Sequence, residues 1–523
     1  MAALNSLLKS KHVDLIITLL CLGMTYWLHI NEFVNGDVAW HVEAAKRLLS
    51  GGNYLINTFD TNAPFVFVYF FPVIWLKKIV TLSLPNLITT YIALSAVLPL
   101  AFSYFLINKM ILEDKIAKRL LYYAVLFIVL FLPTFNFGQR EIVLIYFYLP
   151  YFLYLMLKTV YPEGPKINRW FLYCMALFAA FGILQNLFYL SIPVFIDIYI
   201  YIKTKKFRWL QAIFYLFVLT SIGISFFLYP EYFTTIIPMV MCYESGFNFP
   251  ILMLLLEVFT FICLLTVSVV LINFKKLYQS DDIIICFIAT ICSSLIYFFE
   301  LKLWDYHLYP AICFVVLLLI SIIIKYYEET IYKKTIAPRV SLASTSIAKG
   351  ILATILVIVI GDYRSDIAIF HNQHNSIHKW LDYAKSNFNQ KKLYSLVMQL
   401  GPAYELPYYS GKDIQIVSPW SNPWVLPYVI QQSNKTNRCN LERDIVTFQA
   451  IATQALAKQQ PDFIITENAT WLLYKGQPFD YFEFFSQNKQ FKELIKQYTY
   501  FGQFEGYTIY QKISKINDKN SPH

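Results

Sequence analysis

The chain has 523 residues, 57% of them apolar and 15% charged, with a formal charge of +10. Its mean hydropathy of +0.49 and its recurrent apolar runs, each long enough to span about 30 Å of hydrocarbon, exclude an ordinary soluble globule. The positive residues flank those runs instead of gathering on one face, so they read as topology signals; no nucleic acid is expected as a partner.

The first run covers residues 12–30 behind Lys9 and Lys11, with no small-x-small processing site after it, so it reads as an uncleaved span. The polar stretch Gly36-Asp37-Val38-Ala39-Trp40-His41 follows. From Val38 to Leu49, Val38, Val42, Ala45 and Leu48 recur at near-helical spacing opposite Glu43, Lys46 and Arg47, which predicts a short juxtamembrane helix lying in the interface. Asp37 stands immediately before that helix. Its carboxylate could cap the first turn, and it could also do chemistry at the mouth of a bundle. Asp60, in the turn-rich stretch Asn57 to Pro64, reads either as a turn residue or as a second outer carboxylate. The run 64–80 is apolar but edged by Pro64 and Pro72 and closed by Lys77 and Lys78, and is expected to lie along the interface without crossing.

Further spans are predicted at 84–107, 119–136, 141–157, 170–186, 188–202, 209–229, 249–273, 282–299, 306–324 and 344–361, giving about eleven crossings, or 11–13 if the ambiguous stretches are counted. Lys109, Lys118, Arg119, Lys203 and Arg208 then share one face with the other basic loops, which the positive-inside bias makes cytoplasmic. The Asp37 loop, Gln139-Arg140-Glu141, the 230–248 loop and the stretch from Glu300 to His307 fall on the opposite, periplasmic face. The short spans 170–186 and 188–202 must turn near Gly182 to Asn186, where Gln185 and Asn186 read as a buried turn or as cavity lining. Most of the eight cysteines lie inside apolar runs, so no disulfide framework is expected.

After residue 361 the composition turns polar. Strand-like runs at Lys392 to Val397, Ile414 to Val417 and Asp462 to Thr466 alternate with helical patterns at Ser376 to Phe388, Asp444 to Lys458 and Tyr481 to Leu494, and Phe501 to Tyr510 reads as a turn with a terminal strand. The predicted fold is therefore a polytopic α-helical membrane protein with juxtamembrane helices in its first loop and a C-terminal periplasmic α/β domain. The predicted domains are 1–361, with the first periplasmic loop at 31–83, and 362–523.

Sugar transfer at a bilayer surface needs a carboxylate to deprotonate an acceptor hydroxyl, cations to hold a phosphate leaving group and an apolar groove for a carrier lipid. Asp37 suits the first task. Arg140 suits the second through its planar fork, with Lys302 or His307 adding positive charge. The same groups could instead form a stabilising ion network. Asp37 and Asp60 are the pair that would hold a divalent metal, though no spacing requires one and no other cofactor is indicated.

The segments Gly36 to His41, Phe59-Asp60-Thr61-Asn62-Ala63-Pro64, Phe137-Gly138-Gln139-Arg140-Glu141 and Lys302-Leu303-Trp304-Asp305-Tyr306-His307 resemble those of the C-type integral membrane glycosyltransferases, the superfamily of lipid A aminoarabinose transferases and protein O-mannosyltransferases, and in particular its bacterial family-39-like members. The resemblance implies an inverting enzyme of the inner membrane that moves a sugar from a polyprenyl-phosphate carrier to an envelope acceptor: lipid A, core, O-chain or another surface glycan. It implies Asp37, Asp60 and Glu141 as catalytic carboxylates and Arg140, Lys302, His307, His41 and Tyr306 as substrate or phosphate contacts, with the carrier tail under the 64–80 segment. Here Ala63-Pro64 stands where relatives carry a double proline, without a preceding lysine. The alternative is a transporter or flippase-like factor for a lipid-linked glycan, which would favour an internal repeat and charges near the bilayer centre.

Overall fold

The computed structural model describes residues 11–30, 34–110, 115–161, 166–243, 253, 280–301, 304–332, 377–397, 406, 409–410, 414–418, 441–467 and 479–513. The chain forms two compact units, one drawn from residues 1–33, 86–224 and 249–372 and the other from 34–85, 225–248 and 373–523. It is a polytopic α-helical membrane protein. Seven described helices are long and apolar enough to cross a bilayer: His12–Ile30, Leu84–Lys109, Arg140–Val160, Leu187–Thr204, Trp209–Leu228, Asp281–Glu300 and Tyr306–Lys325. Two other predicted spans are helical but altered. Lys115–Leu126 runs on into a π-helical turn at Phe127–Phe131, and Arg169–Ile183 has only 15 residues. The spans predicted at 249–273 and 344–361 lie outside the described residues, apart from Met253. The 64–80 run divides into helices Phe65–Val68 and Phe71–Leu76, too short at about 1.5 Å per residue to cross.

In the first unit the organising element is Arg140–Val160, nearly every residue of which is buried. It packs against Arg169–Ile183, Asp281–Glu300 and Asp305–Tyr332. Gly182 permits the closest of these approaches, since a Cβ there would lie 2.8 Å from the carbonyl oxygen of Leu144 and 3.1 Å from Cβ of Phe147. Two carboxylates carried into the bundle are paired, which offsets the cost of an apolar surround. Asp14 accepts from Arg119 Nε at 2.9 Å and from Tyr123 OH at 3.0 Å. Asp197 accepts from Gln211 Nε2 and, at 2.7 Å, from Tyr215 OH on the following helix.

The second unit is built on a 5-stranded sheet of order β2-β1-β3-β5-β4, with β1 Lys391–Leu396, β2 Ile414–Ile416, β3 Phe463–Glu467, β4 Tyr498–Phe504 and β5 Tyr507–Lys512. β1 runs parallel to both β2 and β3, and β5 pairs antiparallel with β3 and β4. The predicted strands and the helices at 377–387 and Leu441–Gln459 are present. Two expectations change. The run from Tyr481 is two helices, Tyr481–Ser486 and Lys489–Ile495, because Asn488 caps the second through the N–H of Phe491 at 3.2 Å. The terminal strand is a hairpin, turned where Glu505 and Gly506 both take positive φ (46° and 85°), as a two-residue mirror-image turn requires.

The first loop belongs to this second unit. Its helix Gly36–Leu49 buries Val38, Ala39, Trp40, His41, Val42, Ala44, Ala45 and Leu48, far more than the single apolar face of an interfacial helix, and it packs on Phe65–Val68 and Phe71–Leu76. Arg47, predicted on the solvated side, fastens the helix to the sheet domain. Its guanidinium donates to the carbonyls of Ser418 at 2.7 Å, Ile416 at 3.2 Å and Asn57 at 2.9 Å and bonds Glu43 at 3.0 Å, 5.2 Å from the Trp40 ring centre. Phe59 meets Phe448 at 5.2 Å between ring centres. Cys242 is disulfide-bonded; Cys21, Cys174, Cys286, Cys292 and Cys313 are free thiols.

Gly182→Val is expected to force the Arg169–Ile183 helix off its neighbour, at a cost of about 1–3 kcal/mol. A clear fall in the thermal midpoint of the detergent-solubilised protein checks this, and an unchanged midpoint refutes the close approach.

Candidate active site

The predicted site residues fall into two groups, one in each unit. In the first unit, Gly138 takes φ +93° and Gln139 ends the loop, so Arg140 and Glu141 open the helix that runs to Val160. Glu141 is fully buried. Its Oε1 accepts from Arg140 Nε at 2.7 Å and from Asn186 Nδ2 at 3.2 Å, while Oε2 has no hydrogen-bond partner among the described residues. The guanidinium and the amide replace part of the water that a carboxylate loses on burial.

His307 enters from the helix that begins at Asp305 and is 2% exposed. Its Nδ1 meets Glu300 Oε2, and its Nε2 lies 3.4 Å from Arg140 Nη2. Tyr189 OH donates to the carbonyl of His307 at 2.9 Å, and Asn186 Nδ2 also reaches Glu300 Oε1 at 3.5 Å. Tyr306 is half-buried, its ring 4.6 Å from that of His307 and stacked at 5.8 Å on Trp304. Lys302 lies outside the described residues.

Glu300 and Tyr189 were not singled out by sequence reasoning, and Asn186 only as turn or lining. Glu300 ends a span, where the helix dipole disfavours a carboxylate, so an acidic residue closing an apolar run was the available signal. The chain then leaves the helix through Leu301 at φ 50°, a left-handed conformation unusual for a bulky residue.

In the second unit the helix is capped by Asn35, whose Oδ1 accepts from the N–H of Asp37 at 2.9 Å. Asp37 is therefore not the cap. It sits half-buried inside the first turn, where the helix dipole favours its negative charge. Asp60 is wholly buried: Oδ2 accepts from Trp40 Nε1 and Oδ1 from the N–H of Asn62 at 2.7 Å. Asn62 also lies 3.4 Å from His41 Nε2, and its carbonyl accepts from Tyr54 OH at 2.5 Å. Burial, with the nearby Asp60 carboxylate adding to it, pushes the Tyr54 phenol well above its ordinary range, so it stays a neutral donor. Asn53 donates to Glu231 at 2.7 Å, holding the loop against the segment after Pro230.

The described residues do not fit a divalent metal. Among the described residues no group of three or more His, Cys, Asp or Glu could hold one, and both Asp60 oxygens face N–H donors.

No protein-family model matches the chain, and no curated protein matches it in sequence. Its structure is similar to the crystal structure of ArnT from Cupriavidus metallidurans bound to undecaprenyl phosphate, with a TM-score of 0.52 at 11% identity over 97% of this chain and 99% of that one. At that identity the likeness is one of fold, and it takes in the helical region and the sheet domain together.

Asp60→Ala strands two buried N–H donors, an expected loss of about 1–3 kcal/mol for each. Asp60→Asn keeps one acceptor oxygen and should lose less. Thermal unfolding of the two variants checks the order, and an Asp60→Ala protein as stable as the parent would show that Asp60 does not hold this loop.

Proposed function

We propose that the protein is an inverting glycosyltransferase that moves a sugar from a polyprenyl-phosphate carrier to a cell-envelope acceptor, such as lipid A, core, O-chain or another surface glycan. The observation that carries this reading is a fold shared from end to end with a protein whose crystal structure holds undecaprenyl phosphate. Two local features support it. A carboxylate, Asp37, is held half-buried in the first turn of a packed helix. A guanidinium, Arg140, stands at the N-terminus of a buried helix, where the dipole and the planar fork both favour a phosphate.

In the reaction the acceptor hydroxyl attacks the anomeric carbon opposite the departing lipid phosphate. The new C–O bond forms as the old sugar–phosphate bond breaks, and the configuration inverts. Asp37 takes the hydroxyl proton. Arg140 stabilises the charge growing on the phosphate oxygen, with Lys302 as a second cation from the sequence pattern. Glu141 holds the guanidinium, while His41 and Asp60 shape the loop that presents Asp37.

The setting is the inner membrane of a bacterium, with the Asp37 loop and the sheet domain facing the periplasm. The Cys242 disulfide supports this side, since such bonds persist in oxidising compartments.

Asp37→Asn should keep the fold and lower transfer from an undecaprenyl-phosphate sugar by about 10²–10⁴-fold. Arg140→Ala should lower it by about 10²–10³-fold. Full transfer by Asp37→Asn refutes the base, and movement of labelled lipid-linked sugar across proteoliposomes without release of lipid phosphate refutes the enzyme. For the topology, Cys242 should react with a membrane-impermeant maleimide in intact spheroplasts only after reduction. Labelling confined to inverted vesicles would reverse the orientation.

A further inference from the structure

We propose that Glu300 and His307 form a positioning chain that sets the orientation of the Arg140 guanidinium. Arg140 is a donor only, and an ionised Glu300 is an acceptor only, so the imidazole between them has one consistent arrangement. Nδ1 carries the proton and donates it to Glu300 Oε2, leaving the Nε2 lone pair to accept from Arg140 Nη2 at 3.4 Å. His307 thus presents a lone pair to the guanidinium and not a second positive charge. This assigns it a different task from the phosphate contact expected of it.

The surroundings hold the chain in place. Tyr189 OH anchors the backbone of His307 at 2.9 Å. Asn186 Nδ2 lies 3.5 Å from Glu300 and 3.2 Å from Glu141, spanning the two carboxylates. Arg140 is gripped on its Nε edge by Glu141 at 2.7 Å and turned from Nη2 by His307, which leaves the guanidinium little rotational freedom. Three observations are explained together: an acid at the unfavourable end of a helix, a leucine in left-handed conformation directly after it, and a buried histidine seven residues on. That the aimed guanidinium meets a phosphate rests on the function proposed above; the chain itself does not.

The test uses the full-length protein in nanodiscs. Nitrogen NMR of protein labelled with ¹⁵N-histidine, with the His307 signals assigned by their loss in His307→Gln, should show a neutral ring protonated on Nδ1, and this preference should disappear in Glu300→Ala. A cationic ring at neutral pH, or a tautomer unmoved by Glu300→Ala, overturns the chain. Binding of undecaprenyl phosphate should weaken about ten- to a hundred-fold in His307→Ala and Glu300→Ala. It should recover in His307→Gln, whose amide can both accept from Arg140 and donate to Glu300, and stay near the parent value in Glu300→Gln, which keeps an acceptor. Equal loss in His307→Ala and His307→Gln, with both proteins monodisperse, overturns the positioning role. If Arg140→Ala binds the lipid as the parent does while the tautomer behaves as expected, the phosphate reading fails and the positioning chain stands.

Discussion

A guanidinium at the head of a helix buried along almost its whole length is neutralised by the carboxylate next to it and positioned by groups that other parts of the chain deliver. That arrangement organises the first unit. In an apolar surround a buried ion left alone costs several kcal/mol, and the wholly buried Glu141 is met by Arg140 and Asn186, while His307 and Glu300 meet the guanidinium from the other side. Each partner arrives on a different helix or turn. The packing that brings those elements in depends in turn on Gly182, where one backbone rests against another.

The second unit solves a related problem with neutral partners. Asp60 is sealed from water by the indole N–H of Trp40 and the backbone N–H of Asn62, and Asn62 is in turn held by Tyr54 and faces His41. The result is a loop whose shape is set by hydrogen bonds and aromatic packing, with Asp37 in the first turn of its helix. Arg47 then ties this helix to the carbonyls at the end of β2 and just beyond it. The first loop and the C-terminal sheet are therefore one folded body, although more than 300 residues of chain separate them.

Local patterns carried much of this. The seven long helices fall where apolar runs of bilayer length stand, and β1, β2, β3 and β5 fall on or beside the short strand-like runs, while β4 is not predicted as a strand of its own. Of the two roles the sequence leaves open for Asp37, the cap falls to Asn35, two residues earlier, whose side chain accepts from the N–H of Asp37. The pattern of the first-loop helix predicts an interfacial one, since nothing in it says that the second face is also covered. Glu300 went unassigned because its meaning lies in His307 and Asn186, which reach it only through the fold.

By itself, then, the sequence determined the membrane class, the positions of most described spans and the α/β character of the tail. These follow from length, period and composition, which neighbouring residues encode. The tertiary structure alone decided that Asp60 is a buried acceptor, that Arg47 is a tether, and that Arg140 is held by partners up to 167 residues away. Pairings of that kind depend on which surfaces meet when apolar faces are buried, and no local pattern records it.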